Sequence, residues 1–130
     1  MNKTHATVAL IPSQSVPAGS TVAAVADLTG VDGGVITVSI ANGATGPTAQ
    51  LRLQILVAHA QATTPAAAAA GTGALDWKVV FEYTIGTAAN AAPQLPPFVF
   101  GPEYPHIQAR AFGHTGQAVD VEALLSTFNY

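Results

Sequence analysis

The chain has 130 residues, a net charge of -3 and only 8% Asp, Glu, Lys and Arg, against about 25% in an average globular protein. Its four Lys and Arg residues are too few to neutralise a phosphate backbone, which argues against nucleic acid as a partner. The absence of cysteine excludes a disulfide framework and thiolate metal sites.

The hydrophobic share of 49% is inflated by 26 alanines, but Leu, Ile, Val and Phe still number 33. That is above the level of about 20% below which chains stay disordered. A chain of this length forms one domain and buries roughly two-thirds of its unfolded surface. We therefore expect a single β-sandwich domain over 1–130, with 1–6 as an N-terminal arm. No apolar run reaches the 18 or so residues of a membrane span. The start, Met1-Asn2-Lys3-Thr4-His5, has no apolar stretch behind a basic patch, so no signal peptide is expected. Few charges also mean weak steering and little repulsion between copies, which suits a protein packed against other subunits.

His5 to Ile11 alternates weakly, with Ala6, Val8 and Leu10 on one face. Pro12 and Pro17 bracket a short polar link. Thr21 to Leu28 reads as a second strand, and its alanines on both faces suggest close approach of a neighbour. Gly30 to Gly34 offers positions for positive φ. Val35 to Ala41 alternates cleanly, placing Ile36, Val38 and Ile40 inward and Thr37 and Ser39 outward. Asn42-Gly43 is a hairpin signal, although the connection to Thr48 is longer than two residues. Pro47 fits a loop better than a sheet interior.

Gln50 to Ala58 is the clearest strand, with Leu51, Leu53, Ile55 and Val57 on one face. Leu56 breaks the alternation, which predicts a bend or bulge there. Gln61 to Gly73 is a Thr/Pro/Ala/Gly loop. Leu75 to Thr84 places Trp77, Val79, Phe81 and Tyr83 on one face, as an aromatic wall opposite the Leu51–Val57 strand. A second Ala/Asn/Pro loop, Ile85 to Pro97, precedes the short strand Phe98 to Phe100. Tyr104 to Phe112 sets Ile107, Ala109 and Ala111 against His106, Gln108 and Arg110. Gly113 to Gly116 is a compact turn from which Gln117 to Thr127 pairs back, bringing Arg110 near Asp120 or Glu122. Eight strands with turn signals between them and no convincing helix predict an all-β, single-domain antiparallel sandwich, an eight-stranded jelly roll.

Chemistry is sparse. His5, His59, His106 and His114 show no metal-ligand spacing. Asp120 and Glu122 share a face, and Glu82 or Asp76 would have to join them across the sheets to make a paired-carboxylate site. Solvated alternation accounts for all four. No nucleophile elbow is present. We expect no catalytic, cofactor-binding or metal residue, no cofactor, and no enzyme. Tyr104 and Phe112 are the aromatic side chains left as platforms for a sugar.

The segment from Leu28-Thr29-Gly30 through Gly34-Val35-Ile36-Thr37-Val38-Ser39-Ile40-Ala41-Asn42-Gly43-Ala44-Thr45-Gly46-Pro47 resembles small β-sandwich virion proteins of tailed bacteriophages. The stretch from Ile107 through Phe112-Gly113-His114-Thr115-Gly116 to Ala123 is similar to the same group, in which a strand, a Gly-x-Thr-Gly turn and a closing strand form the last hairpin. The resemblance covers about a third of the chain and consists of structural turns. It implies a head decoration (cement) protein, a homo-oligomer and often a trimer, made in the host cytoplasm and seated on the capsid surface of the virion with the major capsid protein as partner. It carries over no functional residues. Two alternatives stay open: a carbohydrate- or host-surface-binding module, and a structural protein of tail or neck.

Overall fold

The computed structural model describes residues 4–58 and 77–129. They form eight strands and no helix: β1 (Thr4–Val16), β2 (Val22–Asp27), β3 (Gly33–Asn42), β4 (Arg52–Ala58), β5 (Lys78–Thr84), β6 (Phe98–Phe100), β7 (His106–Phe112) and β8 (Val119–Asn129). The first sheet has the order β1-β8-β3-β6 and the second β2-β7-β4-β5. Pairing is antiparallel and nested: β4 with β5, β3 with β6, β2 with β7, β1 with β8. Consecutive strands alternate between the sheets except β4 and β5. This is a long hairpin rolled up on itself, the jelly-roll order.

Period-two alternation builds the core. Ile36, Val38 and Ile40 of β3 and Val119, Val121, Ala123 and Leu125 of β8 face Leu53, Ile55 and Val57 of β4 and Ile107, Ala109 and Ala111 of β7. Burying each Leu, Ile or Val side chain contributes about 1.5–3 kcal/mol. The fully buried alanines Ala109, Ala111 and Ala123 let the sheets approach closely at their centres. Val22, Ala24 and Ala26 line the core from β2, while Val25 packs on the opposite side of its sheet.

Several expectations are corrected. Pro12 does not end the first strand. β1 continues to Val16 through two register shifts, between Ala9 and Ile11 and between Ile11 and Gln14. An edge strand tolerates proline because one of its sides needs no donor, and the bulges turn Leu10 and Ile11 both inward. Thr4–Ala6 are not an arm: they pair with Thr127–Asn129 of β8.

β4 and β5 are neighbours in one sheet, not opposing walls. The irregularity expected near Leu56 is present, as a register shift between Ile55 and Leu56 against β5. It changes the phase of β5. Tyr83 reaches the core, but Val79 and Phe81 are exposed and Trp77 packs with Leu56 and Ala58 on the outer side of the sheet. The expected four-residue aromatic wall is therefore split. His59, the Gln61–Gly73 loop, Leu75 and Asp76 lie outside the described residues.

Neither expected hairpin forms. β3 and β4 lie in different sheets, as do β7 and β8, so Arg110 cannot meet Asp120 or Glu122 across a hairpin. Both turns instead carry the chain from one sheet to the other at the same end of the sandwich, where they lock together. Thr48 donates its N–H to the Thr115 carbonyl at 2.8 Å, and their hydroxyls lie 2.8 Å apart. His114, fully buried, bonds the Val16 carbonyl through Nε2 at 2.8 Å. Asn42 receives the second long loop: its N–H donates to the Ala91 carbonyl at 2.9 Å, and its Nδ2 to the carbonyls of Gly86 at 3.2 Å and Ala88 at 2.9 Å. Gly46 passes so close to that loop that a Cβ would overlap the Thr87 carbonyl oxygen.

Candidate functional site

The outer face of the second sheet gathers unusual polar groups. Strand register sets them in rows. Gln54 of β4 lies between Arg110 of β7 and Glu82 of β5, and Arg52 lies between Phe112 and Thr84. One step along, Gln108 stands between Val25 and Leu56, and beyond it His106 between Asp27 and Ala58.

At the polar end Arg52 Nε donates to Glu82 Oε1 at 2.9 Å, with Nη2 at 2.8 Å from the same oxygen, and Gln54 Nε2 donates to it at 3.0 Å. The Gln54 hydrogen bond, and after it Arg52, holds the Glu82 carboxyl below the usual carboxylate range. Phe112 is flanked by two guanidinium groups, Arg110 at 4.1 Å and Arg52 at 5.3 Å from the ring centre. Such cation–π contacts are worth about 0.5–1 kcal/mol near the surface. Burial, and then the charge of Arg52, lowers the Arg110 pKa from its usual range.

Toward the other end the face becomes dry. Leu56, Ala58 and Trp77 are buried with Val25 against them. Here Gln108 is fully buried, and both its Oε1 and Nε2 lack a hydrogen-bond partner among the described residues. His106 Nδ1, Arg110 Nε and Trp77 Nε1 are likewise buried without one. An unsatisfied buried polar group costs about 1–3 kcal/mol. Four of the six described residues with such atoms lie on this face; the other two, Asn42 with Oδ1 and His114 with Nδ1, lie at the turn end of the sandwich.

This arrangement suits binding. The guanidiniums of Arg52 and Arg110 offer donors, and Phe112 offers a flat surface. The described serines at 13, 15, 39 and 126 belong to the first sheet and Ser20 to the β1–β2 connection, whereas His106 and Asp27 lie on the second sheet. The expected carboxylates also separate. Asp120 and Glu122 share a shallow pocket of about 260 Å³ with Ser13, Ser39 and Ala41 on the first sheet's outer face, whereas Glu82 stands on the second sheet. Among the described residues no group of three His, Asp or Glu side chains could hold a metal ion. His5 is exposed on β1, His106 lies on β7 and His114 is locked in its turn.

Of the two expected aromatic platforms, Tyr104 packs against the core and Phe112 lies between its arginines. The Arg52–Phe112 contact is made across a strand pair and has no signal in the order of the residues. The i,i+2 pair Arg110 and Phe112 was its visible half. Gln108 carries no sequence signal at all.

No family model and no curated protein matches the chain. Solved structures do. The K3 cleaved adhesin domain of Lys-gingipain from Porphyromonas gingivalis W83 superposes with a TM-score of 0.55 at 11% identity, over 81% of this chain and 63% of that one. A chain of infectious bursal disease virus, Gx strain, superposes with a TM-score of 0.58 at 10% identity, over 100% of this chain and 33% of that one. The chain thus spans less than two-thirds of either. At these identities the likeness is one of fold: the protein is a β-sandwich of a kind also found in an adhesin domain and in a virus particle.

Proposed function

We propose that this domain is a non-enzymatic structural protein of a phage virion, a decoration (cement) protein that binds an assembled head shell and stabilises it. The observation that carries the reading is the superposition of the whole chain on part of a virus-particle chain, joined to the resemblance of the Leu28–Pro47 and Ile107–Ala123 segments to phage virion proteins. Those two segments meet in the fold through the β3–β8 pairing, from Val38 with Ala123 to Asn42 with Val119. The 8% of charged residues keeps repulsion between close-packed copies small. A domain that binds the shell and not the free subunits stabilises it by mass action. Clustering as a trimer multiplies weak contacts through effective concentration. The partner is the major capsid protein and the location the outer surface of the virion.

The test is co-sedimentation with shells of the virus that encodes the protein, with its oligomeric state measured in parallel. Pelleting with assembled shells but not with free capsid subunits is expected. Protein that stays in the supernatant at every concentration overturns the reading. A second reading, a host-surface or carbohydrate-binding module, draws on the Phe112 platform and the two guanidiniums that flank it. Glycan-array binding that disappears in Phe112→Ala would favour it.

A further inference from the structure

β6 covers only part of the edge of β3. Its three residues pair with Gly34, Val35 and Ile36, and the next tie to that edge is the Asn42 N–H on the Ala91 carbonyl. Between Ile36–Phe98 and Asn42–Ala91 the outer chain takes one residue more than β3 does. That stretch reads Ala92-Pro93-Gln94-Leu95-Pro96-Pro97. Its three prolines have no N–H to give to a sheet. The outer chain bows away, held by the bond from the Tyr83 hydroxyl to the Pro96 carbonyl at 2.7 Å and by Leu95 against the core.

A cleft of about 490 Å³ is left, lined by Thr37 to Ala41 on one side and Ala92 to Leu95 on the other. Val38 and Ile40 have their side chains in the core, 6% and 2% exposed, so what they present to the cleft is backbone. The register of β3 with β8 is unbroken from Gly33 to Asn42, so residues two apart direct their N–H and C=O to the same side. The Asn42 N–H points away from β8, and those of Val38 and Ile40 therefore do so too. No backbone bond links either residue to the Ala92–Leu95 wall. Two donors and two acceptors, spaced as one strand requires of another, face a cleft without a charged side chain.

We infer that this cleft is a strand-addition site: an extended, uncharged peptide segment of a partner protein, about four or five residues long, pairs with Val38 and Ile40 and completes the edge that β6 leaves open. The side chains that wall the cleft are Ala, Ser, Thr, Pro, Gln and Leu, none of them charged, which favours uncharged residues at the alternate positions of the partner segment. The inference stands on the cleft alone and does not depend on the shell-binding reading.

The experiment uses the isotope-labelled full chain and a blocked Thr-Val-Thr-Val-Thr peptide at millimolar concentration. The backbone amides of Val38 and Ile40 are expected to shift, and their hydrogen exchange to slow about tenfold at saturation. The amides of Thr37 and Ser39, which point to β8, stay unchanged. The same peptide with alternate amides N-methylated gives no effect. Ala92→Trp, at an exposed position on the cleft wall, keeps the melting temperature and abolishes the shifts. Unshifted Val38 and Ile40 amides at saturating peptide overturn the inference. So do shifts that appear with protein concentration alone, which would make a second copy the occupant.

Discussion

The two outer faces of this sandwich are built from the same alternation and end up in opposite states. On the first sheet the outward residues of β3 and β8 include Thr37, Ser39, Asp120 and Glu122, in or near solvent, and the half-buried Leu124. The Thr7 and Ser126 hydroxyls, 3.2 Å apart, are exposed. On the second sheet the outward residues include Leu56, Gln108 and His106, all buried, and Phe112 between two guanidiniums. A period of two decides only which residues point outward. What the outward side costs or contributes depends on whether water reaches it, and that is a tertiary property.

Leucine truncation should break the comparison most sharply. Leu56→Ala, on the dry face, is expected to cost about 3 kcal/mol. Leu124→Ala, half-buried on the first sheet's outer side, should cost about 1 kcal/mol. Equal losses in chemical denaturation would mean that the faces do not differ. The next effect has the opposite sign. Gln108→Leu removes an amide that has no partner among the described residues and should raise stability by about 1–2 kcal/mol. Destabilisation there would reveal a partner for the amide. Phe112→Leu loses both cation–π contacts and should lower stability by about 1–2 kcal/mol, with the decrement unchanged by moderate salt.

The smallest effect is a pH dependence. The folded-state pKa of Glu82 is depressed, so its contribution is present above the ordinary glutamate value. It is lost as pH falls through the lower, folded value. Glu82→Gln should flatten that acid segment of the stability curve by a few tenths of a kcal/mol, as expected of a largely exposed ion pair. An unchanged acid limb would show that Arg52 and Gln54 do not hold the carboxylate in solution.

Much of the fold was legible because it is written locally. The alternation of Ile36, Val38 and Ile40 placed β3, and the β4–β5 irregularity falls beside Leu56 as expected, although the extra residue is Val80 of β5 and β4 keeps an unbroken register with β7. The misreadings share one cause. Asn42-Gly43 and Gly113 to Gly116 turn the chain, but turn residues do not say whether the next strand joins the same sheet or the facing one. That choice is made by partners far away, such as Ala91 for Asn42 and Ala49 for Thr115. Trp77 was placed in the core by spacing, and the bulge that moves it outside depends on pairing with β4. The outer face of the second sheet was least legible. Phe112 stood out as an aromatic, but Arg52 reaches it across a strand pair, and nothing in Gln108 as a letter foretells its burial.

The nested pairing also sets an order in time. β4 and β5 close the shortest loop, β3 with β6 and β2 with β7 enclose progressively longer ones, and β1 with β8 joins the two extremes of the described chain. Loop-closure entropy rises along that series, and pairing between distant residues folds slowly. The rolled hairpin should therefore acquire its protection from the β4–β5 pair outward, and pulse-labelled amides of β1 should be the last to become protected. Until then β8, which ends as a central strand, has an open edge. The chain's greatest exposure to unwanted strand pairing thus falls late in folding, at the strand the finished sandwich encloses on both sides.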